Sequence, residues 1–502
     1  MSEEFGMRGK SNLYSWKFVR IFLFIIPTCL GISTVKYGLL PLFGFIAFLF
    51  IMLLLWKPHL GLPLVVLMMI DCFGFFNPET FVRIKDLFKF RDLLFVALFV
   101  VFFLRAFIGN SPIPVKKSPL NKIIFGIIGL TIFEIFHTIW LFDVPLISAI
   151  QTGRVYFFYL VFFPALYFWD TKDKLFSSLK IFLVISLIGA FLIIMRMVFG
   201  QGFSFPPHAR LDIQTFGGFT VNRIYLPGLS LITIAYSILF WLIIMNRNLR
   251  HRGLLIVSVT LLGVGWFLFF GRAVWVSMFV MMVFPIIFIK ELRIKRISAI
   301  VASLLIILLF VVLGSFIIES DSSSGYTFIF DRIGTIVSDI RHQEGTFGSR
   351  IAVSQFRFEA LKDHFVLGCG FLHAKLVPRF YELPAMILDR PTKWGLGTVD
   401  WGLLTLLIHF GLLGFIWFVA MVVIVHKRMI RILKRLNSPI EKSIVVGALS
   451  YFWGAVTTFL TSPHFTYYGR IITMVILWAA VEALYSQRNI ATSDPIIEYK
   501  GV

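Results

Sequence analysis

The sequence predicts an all-α, polytopic integral membrane protein, and three observations carry that prediction. First, 58% of the 502 residues are hydrophobic, against about 45–50% in a soluble chain, and the mean hydropathy is +0.89. Second, apolar runs of about 20 residues recur from end to end, each long enough to cross a bilayer core of about 30 Å. Third, Lys and Arg gather in short connections between those runs. The expected architecture is a single domain, 1–502, of about 12–14 transmembrane helices, with one large, partly helical extracytoplasmic loop at 319–398. Strand alternation with polar partners is absent, which excludes a membrane barrel.

The first helix is expected at 18–35. A basic N-terminus leads into it with no small-residue cleavage site, so it reads as a retained helix and not a signal peptide. Further helices are expected at 38–56, 60–76, 91–108, 122–142, 147–168, 175–199, 223–245, 253–270, 273–290, 297–318, 399–425, 443–460 and 470–486. Basic residues orient them. Lys116, Lys117 and Lys122 share one connection, and Arg247, Arg250 and Arg252 a second. Lys290, Arg293, Lys295 and Arg296 form a third, and Lys427, Arg428, Arg431, Lys434 and Arg435 a fourth. All four fall on one face, which the positive-inside rule makes cytoplasmic, with both termini inside.

The net charge of +21 follows from those connections. No basic stripe with interleaved aromatics stands outside the membrane segments, so nucleic acid is not an expected partner. Of three cysteines, Cys29 and Cys72 lie in apolar segments and Cys369 in a polar loop; neither a disulfide framework nor a zinc site is indicated.

Two external segments stand out. The loop at 319–398 is too long for an idle connection. The segment 201–222 is rich in Gly, Pro and Phe and carries His208 and Arg210. Between two apolar runs, FFGRAVWVSM places Arg272 at the external tip of a helix pair. An arginine at a membrane helix centre costs about 2.5–3.5 kcal/mol on insertion scales. Arg272 either snorkels to interfacial phosphates or helps to build an anion site, for which a planar, permanently charged, bidentate guanidinium is suited. More arginines fall on the same side: Arg350 and Arg357, two helical turns apart, with Arg154, Arg210, Arg223 and Arg470. As a set they suggest a basic cavity at lipid headgroup level. In TVDWGLLTLLIHFGLLGF, Asp400 opens an apolar helix. It is either a cap favoured by the helix dipole or a general base facing that cavity.

These pieces, in this order, resemble the O-antigen ligase and polymerase superfamily of bacterial envelope glycosyltransferases. FFGRAVWVSMFVMM resembles the family's membrane-tip motif. GSRIAVSQFRFEALKDHFVLGCGF is similar to its external-loop motif, an arginine and a helical stretch with a G-x-G end. TVDWGLLTLLIHFGLLGF is similar to the helix start that follows and closes on G-L-x-G. The resemblance covers about residues 255–425. It implies that Arg272 and Arg350 engage a lipid-linked pyrophosphate, and that Asp400 stands where ligases carry the histidine of an H-N pair. The pair here reads Asp400-Trp401, which favours a polymerase over a standard ligase.

The implied donor is a polyprenyl-pyrophosphate-linked oligosaccharide, used at the outer face of a bacterial cytoplasmic membrane. The other expected partners are membrane lipids and a polysaccharide chain-length regulator or export machinery. No cofactor is expected. Neither a D-x-D pair nor an H-x-x-E-H cluster is present, and arginines can supply the charge a metal would; Glu319, Asp321, Asp331 and Asp339 read as a solvated loop face. The expected sites are catalytic Asp400, Arg272 and Arg350, with Arg357, Arg210, Arg154, His464 and Arg470 binding substrate. His373 is, with His464, a further external candidate, and Trp394, Trp401, Tyr467 and Tyr468 either stack on sugars or form an interfacial aromatic belt. Glu134 and His137 share a helix face, far from the matched motifs, as a buried pair or part of a lipid path; Asp71 has no assigned role. A ligase, a lipid-linked oligosaccharide flippase and a non-catalytic export or assembly partner remain the alternatives.

Overall fold

The structure is a computed structural model that describes residues 40–72, 89–108, 118–199, 210–216, 219–225, 228–246, 249–269, 272–288, 345–372, 376–381 and 401–493. The helices expected at 18–35 and 297–318 lie outside these residues. So do Cys29, His208, Asp400, His373, Trp394 and the four acids Glu319, Asp321, Asp331 and Asp339.

Helices form where the apolar runs predict them. They are α1 (Leu40–Trp56), α2 (Pro58–Met69), α3 (Phe90–Ile108), α4 (Pro119–Phe142), α5 (Leu146–Gly153), α6 (Phe162–Phe168), α7 (Lys172–Phe199), α8 (Leu229–Met245), α9 (Arg252–Phe267), α10 (Arg272–Phe288), α11 (Gly345–Lys362), α12 (Gly402–Arg435), α13 (Pro439–Thr458) and α14 (Tyr468–Ser493). Among the described residues, five helical stretches are long and apolar enough to cross a membrane: Pro119–Phe142, Leu146–Phe168, Lys172–Phe199, Gly402–Arg435 and Tyr468–Gln487. The second of these is α5 and α6 joined by the 3₁₀ stretch Arg154–Val161. This is the helical body of a polytopic membrane protein.

Two elements differ most from the sequence reading. A helix was expected from residue 223, but β1 (Arg210–Phe216) and β2 (Phe219–Tyr225) pair as an antiparallel hairpin, with Asp212 opposite Arg223. The β-branched and aromatic residues in RLDIQTF and FTVNRIY suit a pleated surface. In turn, α12 runs ten residues past the expected end at 425 because Lys427–Arg435 continue a good helix-forming sequence beyond the apolar stretch.

Packing fixes which helix ends lie together. α13 is held between α8 and α10: Gly447 lies against Ile238, and Gly454 against Ser277 and Met281, while Ser237 Oγ donates to the Gly447 carbonyl at 2.9 Å. At one end of the bundle, Arg428 grips buried Glu482 through two bonds of 2.6 and 2.7 Å. Ser118 Oγ donates to the same carboxylate at 2.9 Å. Two of the basic connections that the positive-inside rule groups together therefore meet at this end. The opposite end holds the candidate site.

Candidate functional site

The site is organised by a break in α12. Gly411 has φ 54° and ψ −145° inside an otherwise helical run, a backbone region that is essentially reserved for glycine. In a bilayer, freed backbone groups are tolerated only where protein satisfies them. Here the segment after α11 does so. Cys369 N–H donates to the Ile408 carbonyl at 2.7 Å, and Leu412 N–H and Leu413 N–H donate to the carbonyls of Phe365 and Val366 at 2.9 and 3.4 Å. The approach is so close that a Cβ on Gly411 would stand 2.4 Å from the Val366 oxygen, and one on Gly368 2.6 Å from the Gly411 nitrogen. The G-x-G end of the loop motif and the first glycine of the G-L-L-G motif are thus two halves of one joint.

A buried polar cluster sits beside the joint. His409, 4% exposed, bonds through Nδ1 to the Tyr156 hydroxyl at 2.8 Å. Arg357 is 1% exposed, and its guanidinium charge acts on His409. The rings of Phe371 and Phe410 close over the pair, 5.8 and 4.8 Å from Tyr156. Tyr156 reaches this place from the 3₁₀ stretch, whose tighter winding also sets the direction of Arg154. Arg154 donates to Asp92 at 2.7 Å. The neighbouring Arg91 stacks over Tyr468, 3.6 Å from the ring centre.

A turn between α13 and α14 forms the adjoining wall. Leu403 N–H donates to the Phe459 carbonyl at 3.2 Å, and Gly402 lies against Phe459 and Ser462, which ties the start of α12 to this turn. His464 Nε2 meets Thr458 Oγ1 at 3.0 Å, and Arg470 donates to Ser462 Oγ. Burial, helped by the Arg470 charge, holds the His464 imidazole well below its ordinary pKa, so it is neutral at physiological pH.

Of the expected site residues, Arg154, Arg357, His464 and Arg470 come to this one end. Arg272 opens α10, and Ser277 and Met281 against Gly454 set that helix start at the same end. Arg350 lies in α11, seven residues before Arg357, and Arg210 begins β1. Asp400 lies outside the described residues, one position before Trp401, the N-cap of α12.

Two readings are corrected. Glu134 and His137 form a buried pair, one of the two readings left open, Oε2 to Nδ1 at 2.9 Å, but they are not far from the loop motif. Thr138 Oγ1 accepts the Phe371 N–H at 2.7 Å, so their helix is a wall of the site across more than two hundred residues of sequence. Cys369 is not in a polar loop environment: it is fully buried, and burial pushes its thiol up to about 11. Sequence reasoning missed Tyr156, His409, Asp92 and Arg91. A polar group inside an apolar run was the available signal for the first two; nothing in sequence marked the Asp92–Arg154 pairing. Among the described residues, no three His, Cys, Asp or Glu side chains come together in a way that could hold a metal ion.

No family model matches the chain, and no curated protein matches it.

Proposed function

We propose that the protein is a membrane glycosyltransferase that polymerises polyprenyl-pyrophosphate-linked oligosaccharide units on the outer face of a bacterial cytoplasmic membrane. The chain then crosses that membrane with about 12–14 helices, and the 319–398 loop is extracytoplasmic. The observation that carries this reading is the gathering of cationic side chains, Arg154, Arg357 and Arg470 with Arg91, around a broken helix at one end of an apolar bundle. That is the depth at which a lipid-borne diphosphate would lie.

The chemistry follows from the donor. The bond between the anomeric carbon and the pyrophosphate oxygen breaks as the acceptor hydroxyl oxygen attacks from the opposite side, so the anomeric centre inverts. The hydroxyl proton passes to a base, for which Asp400 is the candidate, a role typically worth 10²–10⁴-fold. Arg272 and Arg350 neutralise the departing polyprenyl pyrophosphate, an electrostatic role that strengthens where water is excluded. Arg357, Arg210, Arg154, His464 and Arg470 hold the donor and acceptor. No metal is required for any of these steps. The joint at Gly411 supports the reading physically, because it fixes the α11 segment, and with it Arg357, against the helix that Asp400 precedes.

The test is reconstitution with a defined polyprenyl-pyrophosphoryl oligosaccharide. Longer chains with release of polyprenyl pyrophosphate support a polymerase, and Arg272→Ala and Arg350→Ala each severely reduce them at normal expression. Transfer to another lipid or protein acceptor identifies a ligase, and movement across the bilayer without bond formation a flippase.

A further inference from the structure

α7 carries two stripes. Leu175, Ser178, Phe182, Ser186, Gly189 and Ile193 follow one another at steps of three and four residues, and all are buried. On another face Val184, Ile188, Phe191 and Val198 are 55, 48, 49 and 61% exposed and form the lipid side. Arg196 is the next position of the buried stripe, three residues after Ile193. Its side chain is half-buried and starts from the face of that stripe, because side chains three and four apart share a face.

The environment of Arg196 does not match an ordinary snorkelling arginine. Its Nε and one terminal nitrogen, Nη1, are buried and have no hydrogen-bond partner among the described residues. A cation in the last turn of a helix is favoured by the dipole, and a snorkelling one reaches headgroups or water. Neither effect leaves guanidinium N–H groups covered and unbonded, which is destabilising unless a ligand arrives. The depth is also informative. Ala190 lies against Gly265 near the end of α9, so Arg196, nearly two turns farther on, is level with the turn between α9 and α10. Trp275 Nε1 donates across that turn to the Phe267 carbonyl at 3.3 Å, and Arg272 opens the helix that follows.

We propose that Arg196 is a phosphate-binding residue that holds one phosphate of the diphosphate carrier. This rests on the polymerase reading above and adds a ligand from a helix outside the motifs that suggested it. A guanidinium fork matches a phosphate bidentately, and the carrier's prenyl chain keeps its phosphates at the end of the apolar core where α7 stops.

Full-length protein in nanodiscs of zwitterionic lipid is titrated with sugar-free polyprenyl diphosphate. The wild type saturates. Arg196→Gln binds about ten- to a hundredfold more weakly, as expected for lost charge-assisted bonds. Arg196→Lys, which keeps the charge but not the fork and guards against a folding defect in the glutamine variant, falls in between. Arg250→Gln, on an exposed residue at the other end, binds like the wild type. Equal binding by Arg196→Gln and the wild type overturns the assignment and leaves the polymerase reading standing. If an anionic phospholipid at equal phosphate displaces the probe from the wild type but not from Arg196→Gln, the residue is a general headgroup site and the assignment also fails. A wild type that binds no diphosphate lipid overturns both.

Discussion

Replacing Gly411 with alanine removes the joint on which the site is built. The native backbone there, φ 54° and ψ −145°, costs a non-glycine residue about 1–3 kcal/mol. The added Cβ would stand 2.4 Å from the Val366 oxygen and 2.5 Å from the Gly368 nitrogen. Both atoms are backbone and cannot rotate away. The available escape is for α12 to run straight, because alanine is the best helix former. The Ile408 carbonyl would then take the Leu412 N–H, and the three bonds to Phe365, Val366 and Cys369 would be released. Taking about 2 kcal/mol for the backbone and about 1 kcal/mol net for hydrogen bonds left poorly made, the docked segment loses about 3 kcal/mol, or roughly a hundredfold in protection. Hydrogen–deuterium exchange in nanodiscs reads this directly at the amides of 365–372. Gly129→Ala is the control: nothing lies within 4 Å of its Cβ, and relief of glycine entropy stabilises α4 by about 0.5–1 kcal/mol. Unchanged exchange over 365–372 in Gly411→Ala would show that the segment is not held by the helix break.

Two further outcomes follow from the same end of the bundle. His464 has a folded-state pKa below its ordinary value of 6.5, so the unfolded chain takes up the proton first. Its contribution to stability is complete above about pH 6.5 and is lost as the pH falls below it, with a slope of at most about 1.4 kcal/mol per pH unit. His464→Gln should show a shallower loss of thermal stability on acidification than the wild type; parallel curves would contradict the buried, neutral imidazole. Cys369, with its thiol raised to about 11 and no exposure, should resist maleimide labelling in the folded protein at neutral pH and react after unfolding. Rapid labelling of the native protein would mean that the 365–372 segment opens readily.

Much of the fold was legible because membrane helices obey a local rule. A backbone in lipid must satisfy its own hydrogen bonds, so an apolar run of sufficient length is itself a helix signal, and α3, α4 and α9 begin within three residues of where the runs place them. Elements outside that rule were less legible. The hairpin at Arg210–Tyr225 depends on strand pairing, and the overhang of α12 on propensity beyond the apolar stretch. Of the charges that the sequence places on one side, Arg154, Arg357, His464 and Arg470 share one end of the bundle. Their actual partners were not legible. Asp92 for Arg154, Tyr156 for His409 and Phe371 for Thr138 join residues 62, 253 and 233 positions apart, and no local pattern encodes such distances.

The amino-acid sequence by itself determined that the chain is a bundle of membrane helices, because hydrophobic length and the placement of positive charge are local properties that lipid and water read directly. Only the tertiary structure decided that the G-x-G of one motif lodges against the G-L-L-G of another, that the helix of Glu134 and His137 borders the site, and that two guanidinium nitrogens of Arg196 are buried. Those outcomes depend on which backbone atoms come within hydrogen-bond reach after packing. A glycine in the sequence permits a close approach but does not name the chain segment that makes it.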